Sequence, residues 1–411
     1  MRFNSTLKST LCLCTGGVLA AVLFASCTKK EEKQRQYELA LQNAKNAAVA
    51  EFVQSLPESV KISQLFLVNI EGNKSFVPVE KTAEGDPLVP GGCLFFSYNV
   101  ADSKEEIKQF IASINSFYLE HSNVPPFLAI DQEGGYVNRL RRITDSFPAN
   151  KTVADTMSAV EAENLYRVQA GQMAELGFNM NLAPVVEVET AENAAFLDTR
   201  SFGSLEKVLE YAPLEINAFE SQNVLTVLKH FPGNTNTDPH TGLPEIKVTQ
   251  SELEDELLAP FRKLLPLSSA VLMSHARIFV TDREAGGEDS KTPSCLSSYW
   301  TGQVLRKEFG FEGLILSDDI FMGALADNGF APEDAAVKAI EAGIDIIMLS
   351  EKRFGHVGKI LLEKTKQSPD FARRIEESVE RVIKYKIKCR ILNLIQIDSK
   401  ENKLPTFKVE I

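Results

Sequence analysis

The feature that most restricts the fold of this chain is a regular alternation of short apolar runs with segments of helical periodicity. Eight apolar runs predict buried strands: Leu65–Ile70, Cys93–Phe96, Phe127–Ile130, Met180–Ala183, Leu225–Leu228, Ala270–Met273, Leu314–Leu316 and Ile344–Leu349. Helical periodicity occupies 103–121, 155–177, 204–222, 250–266, 297–308 and 332–342, with a closing helix near 369–388. Eight buried strands alternating with helices predict an α/β fold, a (β/α)8 TIM-like barrel in a single domain.

The main alternative is a doubly wound open sheet, and the glycine pattern does not support it. Gly91-Gly92 and Gly134-Gly135 do not form the G-x-G-x-x-G fingerprint of dinucleotide-binding sheets. The second strand is the exception to the regular alternation, because a loop rich in proline and glycine precedes it and no helix is expected there.

The first 26 residues are typical of a targeting segment rather than of a folded domain. Arg2 and Lys8 supply positive charge, and residues 11–24 are apolar or small. The segment ends in Leu23-Phe24-Ala25-Ser26-Cys27. This order resembles a bacterial lipoprotein signal, in which the cysteine is lipidated and becomes the mature N-terminus. An ordinary secretory cleavage site and an uncleaved anchor are the alternatives.

The whole chain is expected to divide into four parts. They are a signal peptide at 1–26, a tether and first helix at 27–56, the barrel at 57–390 and a peripheral tail at 391–411.

Charge and cysteine content argue against two other classes of protein. The net charge of −12 disfavours nucleic-acid binding, which requires a basic surface. Beyond Cys27, the barrel region contains Cys93, Cys295 and Cys389, which are widely spaced and form no Cys-x-x-Cys pattern. They are expected to be packing thiols rather than a disulfide framework or a zinc site, and neither a metal nor a cofactor is predicted.

Polar residues follow most of the predicted strands, at the end of a barrel where active sites are built. Asp131 and Glu133 come directly after the third strand, Lys229-His230 ends the fifth, and Asp318-Asp319 ends the seventh. Arg200 lies in the loop that follows the fourth strand. These side chains are therefore predicted to meet at one mouth of the barrel.

The loop after the fifth strand contains the pattern Asp238-Pro239-His240. A carboxylate two residues before a histidine can orient the imidazole and raise its basicity, which suits proton transfer near neutral pH. A polar surface loop with a chance Asp-x-His pattern is the alternative.

Several of these polar residues also have a structural interpretation. Glu133 is expected to be a buried structural carboxylate or to pair with Arg139. One of Asp318 and Asp319 is expected to cap the following helix, while the other faces the barrel mouth. His275 is interpreted as a core histidine.

Taken together, the motifs resemble family 3 of the glycoside hydrolases, in particular its bacterial β-N-acetylglucosaminidase branch. The resemblance extends from about Leu65 to about Lys388. Its landmarks are Pro90-Gly91-Gly92, Asp131-Gln132-Glu133-Gly134-Gly135, Ala183-Pro184-Val185-Val186, Arg200-Ser201-Phe202-Gly203, Lys229-His230-Phe231-Pro232-Gly233, Leu243-Pro244 and Ser317-Asp318-Asp319 with Met322-Gly323.

The resemblance implies a single catalytic barrel and a role for each matching residue. Asp318 corresponds to the nucleophile of a retaining glycosidase, and His240 to its general acid/base with Asp238 as the orienting partner. The residues that correspond to sugar-binding positions are Asp131, Arg200, Lys229 and His230, with Met322 packing beneath the sugar. The implied partners are a glycan that contains N-acetylglucosamine and, through Cys27, a membrane of the bacterial envelope. No protein partner is implied.

Three departures from the family pattern concern the site. The loop reads Gly233-Asn234-Thr235-Asn236-Thr237 before Asp238, so it is two residues shorter than usual and lacks the family His-Gly-Asp. Tyr136 stands where arginine is common, and Glu187 stands where aspartate is frequent. A β-glucosidase or a glycoside phosphorylase on the same barrel, and an envelope lipoprotein that only binds glycans, are the competing functions.

Overall fold

The structure is a computed structural model that describes residues 9–82, 85, 87–121, 124–239, 242–282, 288–398 and 405–411. Its main sheet contains eight strands, which confirms the predicted fold. In chain order they are β1 (Phe66–Asn69), β2 (Gly92–Phe95), β3 (Phe127–Ile130), β4 (Met180–Asn181), β5 (Leu225–Phe231), β6 (Ala270–Met273), β7 (Leu314–Ser317) and β8 (Ile347–Leu349).

The sheet is parallel, and its strands lie in chain order except that β8 pairs with β1. A bridge between Leu316 and Ile346 joins the remaining two edges and brings the sheet to a nearly closed barrel. Side chains that point inward from all eight strands fill the barrel and include Leu67, Leu94, Ala129, Leu225, Leu272 and Met348. The barrel is therefore a packed core, and a site can form only at its ends.

A buried ion cluster stabilises the closing edge of the barrel. The carboxylate of Asp345 accepts hydrogen bonds from the backbone N–H of Ile315, at 3.0 Å, and from Arg306 and Arg374, at 2.7 and 3.0 Å. Arg381 is a third cationic partner. Burial by itself raises the pKa of Asp345, but the three arginines outweigh it and hold that pKa below its usual range.

Helices alternate with the strands along the chain, and most of them fall where periodicity predicts. They are α1 (Ser9–Ser55), α2 (Glu58–Ser63), α3 (Lys104–Glu120), α4 (Asn150–Thr156), α5 (Ala159–Leu176), α6 (Ala194–Leu197), α7 (Leu205–Ser221), α8 (Gln250–Glu252), α9 (Ala259–Leu264), α10 (Gly323–Ala326), α11 (Pro332–Ala342), α12 (Gly355–Gln367) and α13 (Pro369–Lys388). Leu253–Leu258 and Tyr299–Glu308 are π-helical. The sequence did not predict α12.

Helix ends follow local sequence signals. At the start of α5, Ser158 accepts a hydrogen bond from the backbone of Glu161, whose side chain reaches back to the backbone of Ser158. At its end, Gly177 adopts a φ of 100°, a left-handed conformation that favours glycine. The two signals fix the residues at which α5 begins and ends, and thereby the residue at which the loop that leads into β4 starts.

The described residues form two compact units. One combines residues up to Gln54 with Leu394–Glu410, and the other comprises Ser55–Asn393 with Ile411. Within the tail, strands Asn393–Asp398 and Thr406–Glu410 pair as a two-stranded sheet.

Among the helices that the structure describes, none combines the length and apolarity needed to cross a bilayer. Cys93, Cys295 and Cys389 are buried free thiols, as predicted.

Candidate active site

A cavity of about 480 Å³ opens at the carboxyl ends of the barrel strands. It brings together the following predicted site residues: Asp131, Arg200, Lys229, His230, Asp318 and Met322. They come from β5 and from loops after β3, β4 and β7. The barrel register therefore assembles residues as far apart in the chain as Asp131 and Met322, which are 191 positions from one another.

An ion-pair cluster forms one wall of the cavity. Lys229 Nζ lies 2.7 Å from Asp131 Oδ1 and 2.6 Å from Glu133 Oε1. The guanidinium of Arg200 binds Glu133 in a bidentate manner, with N–O distances of 2.8 and 2.9 Å. Glu133 is therefore a buried structural carboxylate, as expected, but it pairs with Arg200 and Lys229 rather than with Arg139.

The charges in this cluster stabilise one another. Burial opposes ionisation of Glu133, yet Lys229 and Arg200 outweigh it and hold the pKa of Glu133 well below its usual range. Burial likewise lowers the pKa of Lys229, but Asp131 and Glu133 more than compensate and raise it. Glu133, Arg200 and Lys229 consequently stay charged near neutral pH, and the cluster presents hydrogen-bond donors and acceptors in fixed positions to the cavity.

His230 is held by a buried carboxylate. Glu187 Oε1 lies 2.7 Å from His230 Nδ1 and 3.1 Å from the backbone nitrogen of His230. Because a carboxylate accepts, Nδ1 carries the hydrogen, and in the neutral ring Nε2 is the acceptor. The ring of Phe196 contacts His230 edge-on at 5.7 Å. The peptide bond between Lys229 and His230 is cis, and both residues line the cavity.

Both aspartates at the end of β7 line the cavity. Asp318 Oδ1 accepts the backbone N–H of Asp319, at 2.8 Å, and Asp319 Oδ1 accepts that of Phe321, at 3.0 Å. Burial raises the pKa of Asp319 above its ordinary value. In the described part of the chain Asp318 makes no ion pair.

The expectation that only one of these aspartates faces the barrel mouth is wrong. So is the expectation that one of them caps the following helix, because α10 begins after Met322 and has no side-chain cap. Asp319 instead closes a tight turn through Phe321. The backbone oxygen of Asp319 also lies 3.0 Å from Nε2 of the buried His275, whose Nδ1 lies 3.1 Å from Cys295 Sγ.

The loop after β5 reaches the rim of the cavity. Asn236 Oδ1 accepts the backbone N–H of Ala195, at 2.7 Å, and Asn236 Nδ2 donates to Ala191 O, at 3.0 Å. Pro239 lines the cavity, and its carbonyl accepts the N–H of Ala324, at 3.1 Å. Asp238 is exposed, and its carbonyl accepts the N–H of Gly242. His240 lies outside the described residues.

Glu187, Phe196, Tyr136 and Arg139 also belong to the site, and sequence patterns did not assign them a role there. In the sequence, Glu187 was noted only as a departure from the family's frequent aspartate, and its pairing with His230 did not follow from that. Within the described residues, no group of three or more His, Cys, Asp or Glu side chains is arranged to hold a metal ion.

The sequence model described as "Glycosyl hydrolase family 3 N terminal domain" matches residues 59–385. The chain belongs to this family. Membership confirms the recognised resemblance and the prediction of an enzyme of the glycoside hydrolase class.

Two relatives of this chain are named beta-hexosaminidases. The chain is 31% identical over 272 residues to beta-hexosaminidase A of Pseudoalteromonas piscicida, covering 63% of this chain and 45% of that one. The chain thus spans less than half of that relative. It is 28% identical over 320 residues to a beta-hexosaminidase of Haemophilus influenzae, covering 75% of this chain and 86% of that protein.

The fold matches that of a family 3 β-N-acetylglucosaminidase from Paenibacillus sp. str. FPU-7. The TM-score is 0.72 at 25% sequence identity, and the superposition covers 84% of this chain and 71% of the other. The family 3 barrel is thereby established by sequence and by structure.

Proposed function

We propose that this family 3 member is a retaining exo-β-N-acetylglucosaminidase that removes terminal β-linked N-acetylhexosamine. The observation that carries the proposal is the shared cavity. It places Asp318, a carboxylate without an ion pair in the described residues, beside the charged cluster of Asp131, Lys229 and Arg200. The names of the relatives support the choice of N-acetylhexosamine.

The proposed reaction is a double displacement. Asp318 attacks the anomeric carbon and forms a glycosyl ester, while His240 donates a proton to the leaving oxygen. In the second step His240 takes a proton from water, and the water displaces Asp318. Asp238 orients the His240 imidazole and keeps it basic enough for this step. Pro239, next to His240 in sequence, lines the cavity, which supports this arrangement.

The charged wall is proposed to hold the terminal sugar. Asp131 accepts hydrogen bonds from sugar hydroxyls, and Lys229, Arg200 and the His230 Nε2 edge complete the contacts. Met322 contributes an apolar surface beneath the ring. Glu133 positions Lys229 and Arg200 without contacting sugar, because both cations occupy its oxygens.

The protein is further proposed to be attached to the bacterial cell envelope through a lipid on Cys27. The support is the sequence order at the N-terminus, with the charged stretch Lys29-Lys30-Glu31-Glu32-Lys33 directly after Cys27. The membrane would then hold the enzyme near envelope glycans.

A chromogenic assay tests the proposed activity. The aryl β-N-acetylglucosaminide should be hydrolysed much faster than the matched aryl β-glucoside, with release of the β-configured sugar that a retaining enzyme produces. Equal rates on both substrates would favour a β-glucosidase. No turnover of either would leave a binding protein.

A further inference from the structure

A second cavity, of about 560 Å³, adjoins the active site, and the proposed reaction does not use it. Its described lining comes from the loops after β4 and β5 and from the segment between Leu243 and Leu257. The described linings of the two cavities have no residue in common. Asn234 and Thr235, which line the second cavity, stand in the stretch that replaces the family His-Gly-Asp. The second cavity therefore lies where this chain departs from its family.

Two buried side chains that line the second cavity each have an oxygen without a hydrogen-bond donor. These oxygens are Glu187 Oε2 and Asn234 Oδ1, which have no partner among the residues that the structure describes. Glu187 is 3% exposed and Asn234 is 6% exposed. A buried acceptor that lacks a donor costs stability. A ligand that donates hydrogen bonds to both oxygens would remove this cost.

The described lining of the second cavity is strongly anionic. It contains five glutamates, whereas Lys247 is its only cation. Two of the glutamates have partners: Glu252 accepts the backbone N–H of Thr249, at 2.7 Å, and Glu245 lies 3.9 Å from Arg277. Negative charge and unfilled acceptors together favour a cationic group that donates hydrogen bonds. No three acidic, histidine or cysteine side chains of the described chain converge as metal ligands, which favours an ammonium group over a divalent metal ion.

Glu187 connects the second cavity with the active site. Its Oε1 lies 2.7 Å from Nδ1 of His230, which lines the active-site cavity, while its Oε2 is the oxygen without a donor. A cation bound to Glu187 draws negative charge away from the imidazole. The Nε2 of His230 then becomes a weaker acceptor for a sugar hydroxyl.

We propose that the second cavity binds a small polar molecule through a primary ammonium group, and that this binding weakens sugar binding in the active site. An ammonium group has three donors, enough for both buried oxygens and one further acceptor. The cavity volume lies within the range of small-molecule sites, about 300–1,000 Å³. The binding is independent of the proposed glycosidase function, and only its effect on sugar rests on that function.

Calorimetry with D-glucosamine and D-glucose tests the binding, because the two sugars differ only in an ammonium or a hydroxyl group at C2. The wild type is first saturated with N-acetylglucosamine to occupy the active site, below neutral pH, where the amine is protonated. Glucosamine should bind at least about 10-fold more tightly than glucose, as expected for charge-assisted hydrogen bonds. Equal affinities would overturn the proposal.

A competition experiment distinguishes an ammonium group from a simple cation. Ammonium chloride should displace glucosamine at lower concentration than potassium chloride of the same ionic strength, because K⁺ donates no hydrogen bonds. Equal displacement by the two salts would show that the acidic lining attracts any cation, and would overturn the assignment to ammonium.

Two substitutions of Asn234 should change the affinity for glucosamine in opposite directions. Asn234→Leu removes the unpaired oxygen and should weaken binding by about 10-fold or more. Asn234→Asp keeps the shape, adds negative charge and should strengthen binding. A folding defect common to both variants cannot produce opposite effects. Asn164→Leu is the control, because Asn164 is exposed on α5 and does not line the cavity. Unchanged affinity in both Asn234 variants would contradict the site.

The effect on sugar binding is measured in Asp318→Ala, which does not depend on turnover. Saturating glucosamine should weaken the binding of N-acetylglucosamine by about 5-fold, and N-acetylglucosamine should weaken the binding of glucosamine by the same factor. Asn234→Leu should abolish both effects at the same ligand concentrations. Independent binding of the two sugars would overturn the role of Glu187. Failure of the wild type to hydrolyse any N-acetylglucosaminide would instead overturn the proposed activity and would leave the glucosamine site standing.

Discussion

Charge pairing decides which carboxylates of the cavity can react. Glu133 has both oxygens bound by cations, and Asp131 shares Lys229 with it. Asp318 has a backbone N–H as its partner but no ion pair in the described residues. A nucleophile must approach a sugar carbon, so a carboxylate neutralised by two cations is a poor choice. This comparison supports Asp318.

Replacing Asp318 with Ala should abolish turnover, because no glycosyl–enzyme ester can form. A 2-fluoro sugar inactivator should label Asp318 in the wild type, as read by peptide mass spectrometry. Asp319→Asn is the matched control: it should reduce activity but still permit labelling. A label on Asp319 or Glu133 would show that the nucleophile has been misassigned.

Lys386 makes the unfolding free energy depend on pH. It is fully buried, and its ammonium donates to Gln64 Oε1, at 2.6 Å, and to Pro125 O, at 2.7 Å. Burial lowers its pKa to about 7, whereas an unfolded lysine titrates near 10.4. At pH values between these two pKa values, Lys386 is protonated in the unfolded state and neutral in the folded state. The unfolding free energy therefore rises with pH over this interval. The total rise is at most about 1.4 kcal/mol for each unit by which the two pKa values differ.

Lys386→Met should remove this dependence. Urea unfolding of the wild type should give a higher free energy at pH 9.5 than at pH 6.5, and the variant should show a much smaller rise, about 1 kcal/mol or less. Lys388→Met, about half a helical turn away and partly exposed, is the control and should keep the wild-type slope. Parallel slopes in Lys386→Met and wild type would contradict the assignment.

At the scale of elements, buried strands were predictable and some helices were not. All eight strands carry continuous apolar runs because helices cover the outside of a parallel barrel. Helix α12 begins at Gly355 after Phe354, with no side-chain cap to mark it. The sequence predicted helices at the two π-helical segments but not their π-helical hydrogen bonding. The wider helical turn of a π-helix has no distinct sequence signal.

The loop after β5 shows why a shortened segment can still reach the site. Asn236 stands in the stretch that replaces the family His-Gly-Asp, and it binds the backbone of Ala191 and Ala195. Its own N–H donates to Glu192 O, at 2.7 Å. These bonds tie the loop to the segment after β4, and Pro239 follows at the cavity rim.

His240→Ala should therefore impair substrates according to their leaving groups. Loss of a general acid should slow alkyl glycosides by about 10²- to 10⁴-fold, whereas aryl glycosides with acidic phenols need less protonation and should lose much less in the first step. Steady-state kinetics across a series of leaving groups measures the slope. A uniform loss across the series would mean that His240 binds substrate and transfers no proton.

At the scale of the whole molecule, the sequence predicted the barrel and the mouth at which polar residues gather. It did not predict their partners. Glu133 follows β3, Arg200 lies in the loop after β4 and Lys229 lies in β5, so only the assembled barrel fixes the distances between them. Among the described residues Arg139 Nε has no hydrogen-bond partner for the same reason: the nearest candidate in sequence, Glu133, binds more distant residues.

The N-terminal unit leads to the last prediction. Helix α1 contains Cys27, and the 29 residues from Cys27 to Ser55 would span about 44 Å as a helix. A single lipid chain binds membranes weakly, so stable attachment needs several chains on the cysteine. Native protein should therefore partition into the detergent phase of a phase-separation assay. Cys27→Ala should remain unprocessed or be released in water-soluble form, detected by mass spectrometry of its N-terminus.

Cys93→Ala is the control for loss of a cysteine, because Cys93 is buried in the barrel and should not change partitioning. Activity on a soluble aryl glycoside should be the same in Cys27→Ala and wild type, since the described lining of the cavity comes from residues between Leu94 and Ser350. Activity on glycans held in isolated envelopes should fall for Cys27→Ala, because the anchor raises the local concentration of enzyme. A native protein that is water-soluble and begins at another residue would contradict the lipid anchor and leave a secreted enzyme.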